Sequence, residues 1–274
     1  MRWEPRSEGG IEVRERPGEG PALMLLHGIG GHADSFAPLL PLLPEGRRVI
    51  AWCAPGYGAS APLPQDWPLA ADYAEALLHL ADALGLDRFA LAGHSLGCLI
   101  AGAFAARHPG RLTRLLLAAP ALGHGGVPGD LSDGTRDRIA DLEALGPAAF
   151  AAKRAPRLLH APDRNPADLA AVEAQMARVT MPGYGQAARM LASGRLLEDA
   201  ARIATPADVI VGAEDAVTPP EAARRLFAAL PARCRGVLTE VPEAGHALYT
   251  QAPAAFAAAL ARAMAPAPQQ EDAR

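Results

Sequence analysis

The chain lacks what would mark a secreted scaffold, a membrane protein or a nucleic-acid binder. It has three cysteines, Cys53, Cys98 and Cys234, in 274 residues. An odd, widely spaced set argues against a disulfide framework and against a zinc site. The expectation is three reduced thiols, no metal and a cytoplasmic location. No apolar run reaches the ~18 residues that a membrane helix needs. The segment Met1-Arg2-Trp3-Glu4-Pro5 lacks the apolar core of a secretory signal, so no membrane partner is expected. Excess charge is missing too. There are 26 Lys and Arg against 30 Asp and Glu, a formal net charge of −4. The basic residues are scattered, which leaves no electrostatic footprint for nucleic acid. The partner to look for is a small molecule.

What is present is an alternation of short apolar runs with helical patterns. Ala22-Leu23-Met24-Leu25-Leu26, Arg48-Val49-Ile50-Ala51-Trp52, Phe89-Ala90-Leu91-Ala92 and Leu112 to Ala119 read as strands. Runs this short and continuous fit strands buried on both faces. A polar stretch around Ile11-Glu12-Val13 reads as an edge hairpin. Asp34 to Leu43, Leu69 to Leu84 and Cys98 to Arg107 have helical spacing. Strands and helices in this order predict an α/β fold with a mostly parallel sheet covered on both faces. From Leu122 to Ile203 no strand is evident, and Thr135 to Leu145 and Pro166 to Val179 are helical in pattern. The alternation resumes at Ala207 to Gly212, then a helix from Pro219 to Leu230, a strand from Gly236 to Val241 and a helix from Pro253 to Met264. The expected division is a core of residues 1–121 and 204–265, a helical insertion of 122–203, and a disordered polar tail of 266–274.

The chemistry centres on Gly93-His94-Ser95-Leu96-Gly97. A lone G-x-S-x-G is a weak signal; here it lies between a strand and a helix, where a nucleophilic serine on a tight turn must sit. A serine hydroxyl needs a base in reach. His246, in Glu243-Ala244-Gly245-His246, follows the last strand and so lies at the same sheet edge. The base needs an orienting carboxylate. Asp215, in Gly212-Ala213-Glu214-Asp215, follows the preceding strand, with Glu214 as a neighbouring alternative. The order Ser95, Asp215, His246 is nucleophile, acid, base. Two backbone amides are candidates for an oxyanion hole: that of Leu96, and that of Ile29, with Gly30 as the alternative, in His27-Gly28-Ile29-Gly30-Gly31. Strand ends at one sheet edge are where open α/β folds bind ligands. No cofactor is needed for this chemistry.

These motifs, with Ala54-Pro55-Gly56-Tyr57-Gly58-Ala59-Ser60, resemble the α/β-hydrolase superfamily from about Leu23 to Met264. Within it the chain is most similar to bacterial 3-oxoadipate enol-lactonases and meta-cleavage-product hydrolases. The resemblance implies that residues 122–203 form a helical cap over the site. It also implies a serine hydrolase that cleaves a carboxylic ester or lactone through an acyl-enzyme on Ser95. Carbon–carbon hydrolysis by the same residues, and a non-catalytic ligand receptor on the same fold, are the alternatives. One departure is Cys53, where the family usually has Asp. Candidate substrate contacts are Gly28, Gly30, Trp52, Arg157, His160, Tyr184 and Leu248, with Met181 and Arg189 also on the insertion. Arg157 is a candidate partner for a substrate carboxylate.

Overall fold

The computed structural model describes residues 3–265; the expected disordered tail lies outside them. Eight strands form one sheet: β1 (Glu4–Glu8), β2 (Ile11–Arg16), β3 (Glu19–Leu26), β4 (Arg47–Trp52), β5 (Phe89–His94), β6 (Leu112–Ala118), β7 (Ala207–Gly212) and β8 (Arg235–Val241). Their spatial order is β1-β2-β4-β3-β5-β6-β7-β8. β1 and β2 form the edge hairpin, and β2 pairs antiparallel with β4. The remaining pairs are parallel. The strands from β3 to β7 carry near-continuous buried apolar residues because helices cover both faces of the sheet. The chain moves outward from β3 to β4, then back across to β5. The loops after β3 and β5 therefore face each other at a topological switch point, where a crevice opens.

The core helices are α1 (Ala70–Ala83) and α2 (Leu96–Arg107). The stretch Asp34 to Leu43, expected to be helical, coincides to within a residue with a 3-10 helix, Ala33–Leu42, with Pro38 and Pro41 inside it. Each proline removes a backbone donor that a regular α-helix would use. Between β6 and β7 the described chain is helical: α3 (Asp133–Arg154), α4 (Pro166–Met176), α5 (Gly183–Ser193) and the short α6 (Leu196–Ala200). α3 breaks at Gly146 (φ 71°) before Pro147. The chain ends in α7 (Pro220–Ala229), α8 (Leu248–Gln251) and α9 (Pro253–Met264).

The insert between β6 and β7 is seated on the segments that follow β3 and β4 at several points. Arg178 Nη1 bonds Asp34 Oδ2 at 2.8 Å, and Gln186 Nε2 donates to the carbonyls of Leu63 (2.7 Å) and Gln65 (2.8 Å). At the first residue of α5 the backbone of Gly183 lies directly on that of Gly56, in the loop after β4. A Cβ on Gly183 would overlap the Gly56 carbonyl, and there is no flexible side chain to yield. Gly183→Ala is therefore expected to cost about 2 kcal/mol, as overpacking does, a fall of roughly 4–8 °C in Tm. Gly110→Ala, with nothing within 4 Å of the added carbon, should leave Tm within about 2 °C. Thermal denaturation of the two variants checks this; a neutral Gly183→Ala would mean the insert is not seated on Gly56.

Candidate active site

Ser95 stands between β5 and α2 with φ 54° and ψ −114°, a conformation that L-residues seldom adopt. Two features hold it there. Ser95 N donates to Ala118 O (2.9 Å) and its carbonyl accepts from Cys98 N (3.0 Å). Around it the chain is too close for side chains: a Cβ on Gly93 would overlap the Gly97 carbonyl, and one on Gly97 would lie 2.5 Å from Leu26 O. The two glycines of the motif are there for space. Gly28 closes from the other side, where an added Cβ would stand 3.0 Å from Ser95 Cβ. The amides of Ile29 and Leu96 make no hydrogen bond to protein acceptors among the described residues. Ile29 is fixed by its carbonyl, which accepts from Tyr57 Oη at 2.7 Å.

His246 and Asp215 meet as the sequence order suggests. His246 Nδ1 lies 2.8 Å from Asp215 Oδ2, and both side chains are buried. Asp215 accepts at its other oxygen from the amides of Val217 and Thr218, both at 2.8 Å. Thr218, which the sequence reading missed, adds its hydroxyl 2.8 Å from Asp215 Oδ2, 3.0 Å from Ala119 O and 3.1 Å from His246 Nδ1. Burial opposes ionisation of Asp215, but the bonds and charge of His246 and the bonds from Thr218 together hold its pKa below the usual value. An ionised Asp215 only accepts, so Nδ1 of His246 carries a proton, which leaves a lone pair on Nε2 when the ring is neutral. Glu214, the alternative carboxylate, makes no side-chain hydrogen bond to His246 among the described residues. Nor does Ser95 Oγ bond His246 here; a freely rotating hydroxyl commonly tightens onto its base only with substrate bound.

The His246 loop is clamped from two sides. His94 Nε2 lies 2.9 Å from His246 O, and the two rings are 4.9 Å apart. A carbonyl accepts, so Nε2 of His94 is protonated. Burial, then the neighbouring His246, lowers the His94 pKa to about 3, and the ring is neutral. On the other side Gln251 joins the loop to the insert: its Oε1 accepts from Gly245 N and His160 N (2.9 Å each), and its Nε2 donates to His160 O (2.9 Å).

Ser95, His246, Ile29 and Thr218 line one cavity of about 660 Å³, which also takes residues from the insert. Of the candidate contacts, Gly28, Gly30, Arg157 and Tyr184 line it. Trp52, His160 and Leu248 do not. Trp52 is fully buried in β4, inside the sheet core, and Leu248 is fully buried at the start of α8. His160 serves through its backbone, in the clamp with Gln251. Met181 and Arg189 pack beside Gly185 instead of lining the cavity. Arg138 and Arg154 of α3 line it and were missed, because helical periodicity does not say which polar face meets a cavity.

Cys53 lies outside the cavity lining. Its Sγ is 3.1 Å from His32 Nε2, and the Glu12 carboxylate stands beside them, accepting from Ala59 N at 2.7 Å. Glu12, on β2, thus brings a carboxylate to the neighbourhood where the family usually has Asp at position 53. Glu12, His32 and Cys53 bring three potential metal-ligand atoms within 4.8 Å of one another. Burial pushes the Cys53 thiol up to about 12, so it is a protonated thiol in this environment.

Comparison with known proteins places the chain. It matches the model of the alpha/beta hydrolase family over residues 23–259 and belongs to that family; it is a hydrolase. It is 34% identical over 264 residues to the pimeloyl-[acyl-carrier protein] methyl ester esterase of Chromobacterium violaceum, covering 90% of this chain and 95% of that protein. It spans only 33% of the length of monoacylglycerol lipase abhd6-B of Xenopus laevis, with 28% identity over 111 residues. Among solved structures, the enol-lactonase of Burkholderia xenovorans superposes with a TM-score of 0.81 at 25% identity, covering 95% of this chain and 99% of that one. No helix among the described residues is long and apolar enough to cross a membrane.

Three histidines near the crevice are held neutral by burial: His94 with its pKa near 3, and His27 and His32 with pKa values of about 4. Their values fall below the ordinary 6.5, so the unfolded chain binds more protons between pH 6.5 and about 3. Stability should be full above pH 6.5 and be lost as the pH falls through that window. Urea denaturation at pH 7.5 and 4.5 should show the midpoint falling, and His94→Gln should reduce the difference between the two. A midpoint independent of pH would contradict the buried, neutral assignment.

Proposed function

We propose that the chain is a serine hydrolase that cleaves a carboxylic ester or lactone through an acyl-enzyme on Ser95. The observation that carries this reading is the hydrogen bond from His246 to a buried Asp215, with Ser95 on its strained turn beside the same cavity. His246 Nε2 takes the hydroxyl proton as Ser95 Oγ bonds the carbonyl carbon. The carbonyl oxygen becomes an oxyanion that the Ile29 and Leu96 amides stabilise. The intermediate collapses with breakage of the C–O bond, and the leaving oxygen takes the proton from His246. Water, activated by the same nitrogen, then releases the acid and restores Ser95. Asp215 keeps the tautomer and stabilises the imidazolium; Thr218 and His94 hold these two in place.

In this reading residues 122–203 act as a cap that excludes water from Ser95. The ester chemistry of the Chromobacterium violaceum relative and the lactone chemistry of the Burkholderia xenovorans structure favour C–O bonds as targets. Ser95→Ala should lower kcat for an aryl ester by roughly 10³-fold or more, with the circular dichroism spectrum unchanged. Asp215→Asn should lower it by about 10³–10⁴-fold, through the wrong imidazole tautomer. Turnover by Ser95→Ala near that of the unmodified protein would refute the scheme.

A further inference from the structure

Three arginines of the insert face the proposed nucleophile's cavity. Arg138 and Arg154 come from α3 and Arg157 from the 3-10 turn that follows it, Ala155–Leu158. None makes an ion pair or side-chain hydrogen bond among the described residues. This distinguishes them from Arg14, Arg48, Arg111, Arg195 and Arg224, which each meet a carboxylate. Two carboxylates also line the cavity, but they do not neutralise the set. Both oxygens of Asp141 are taken by Lys153 Nζ at 2.8 Å, and Asp137 is exposed. Arg154 has its guanidinium carbon 5.4 Å from the centre of the Phe150 ring, a contact that leaves its N–H groups able to donate.

The three guanidinium groups repel one another. Burial, then the charge of Arg138 and, less, that of Arg157, lower the pKa of Arg154, against Tyr184 and Asp141, which raise it. Arg138 and Arg154 are half-buried and Arg157 is exposed; like charges gathered at one cavity wall without partners favour the entry of an anion. Arginine N–H groups match a carboxylate or phosphate in a bidentate fork, and such bonds are strong where water is excluded. The lining that includes Ser95 also has apolar or neutral members: Gly28, Ile29, Ala121 and neutral His94.

We infer that the substrate carries, apart from its scissile ester or lactone, a terminal oxyanion that Arg138, Arg154 and Arg157 bind. This rests on the proposed role of Ser95 and names the class of molecule it attacks. The anion sits on a carboxylate or a phosphate monoester, and the arginines position the reactive carbonyl over Ser95 by holding the far end. They are specificity-determining residues that act at a distance from the chemistry.

The test compares straight-chain esters that differ only in their end group: methyl, carboxylate or phosphate, placed on the acyl or on the alcohol side. At least one anionic ester should exceed its neutral counterpart by tenfold or more in kcat/KM, and the preferred end group identifies the anion. In the double variant Arg138→Gln/Arg154→Gln that preference should fall at least tenfold, chiefly through KM. Raising the salt concentration should erode the preference in the unmodified protein. Equal or better turnover of the neutral esters, or a preference that survives the double variant, would overturn the inference. Labelling of Ser95 by a fluorophosphonate separates the two readings. If Ser95 is labelled and the anionic preference is missing, the arginine inference alone fails; if Ser95 is not labelled and no ester turns over, the hydrolase scheme fails first.

Discussion

The site depends on how closely β3 and β5 run together at their C-terminal ends. β3 pairs with β5 in parallel up to Leu26 opposite Gly93. One residue later the chain from β3 must pass the turn at Ser95, where Gly97 abuts Leu26 O and Gly28 abuts Ser95. Only glycines fit at 93 and 97 with the strands this close, and an added carbon at 28 would press on Ser95. The crowding holds Ser95 at positive φ and brings the free amides of Ile29 and Leu96 to the same side. A strained backbone of this kind persists only where the surroundings over-determine it. Here the core does so, with β3, β5, α2 and β6 all buried around the turn.

The second half of the site is built from carboxylate and imidazole. Asp215 is buried, yet it remains an acceptor because four donors converge on it: two amides, the Thr218 hydroxyl and His246. A hydroxyl has one proton, so Thr218 satisfies Asp215 or the Ala119 carbonyl at any moment. The clamp by His94 and Gln251 ties His246 both to the motif that carries Ser95 and to the insert. The insert thus bears on the site twice, through the loop it holds and through the arginines it presents to the cavity.

The sheet was legible in the sequence because strands buried on both faces read as short unbroken apolar runs. Ser95, Asp215 and His246 were legible as a group because each follows such a run, and strand ends of a parallel sheet gather at one edge. Thr218 was not, because a threonine three residues after an acid looks like any turn residue until the loop closes back on itself. Trp52 looked like a pocket residue because it ends a strand, but it lies opposite Val13 of β2, inside the pairing of those strands. His160 and Leu248 lie near the site in the chain fold but give it a backbone clamp and core packing, not a lining. The insert was the least legible part. Its helices α3 and α4 have weak apolar periodicity, α3 is broken at Gly146, and nothing in the spacing of Arg138, Arg154 and Arg157 says that they share a cavity. Cys53 read as isolated, since its neighbours Glu12 and His32 come from other elements of the chain.

The role of Ser95 is tested most directly by a crystal structure of the protein after reaction with a phosphonate ester. The expected result is a covalent bond from Ser95 Oγ to phosphorus, with the phosphonyl oxygen within about 3 Å of the Ile29 and Leu96 amides and His246 Nε2 turned to the leaving-group side. Attachment to another residue, or a phosphonyl oxygen pointing away from both amides, would contradict it.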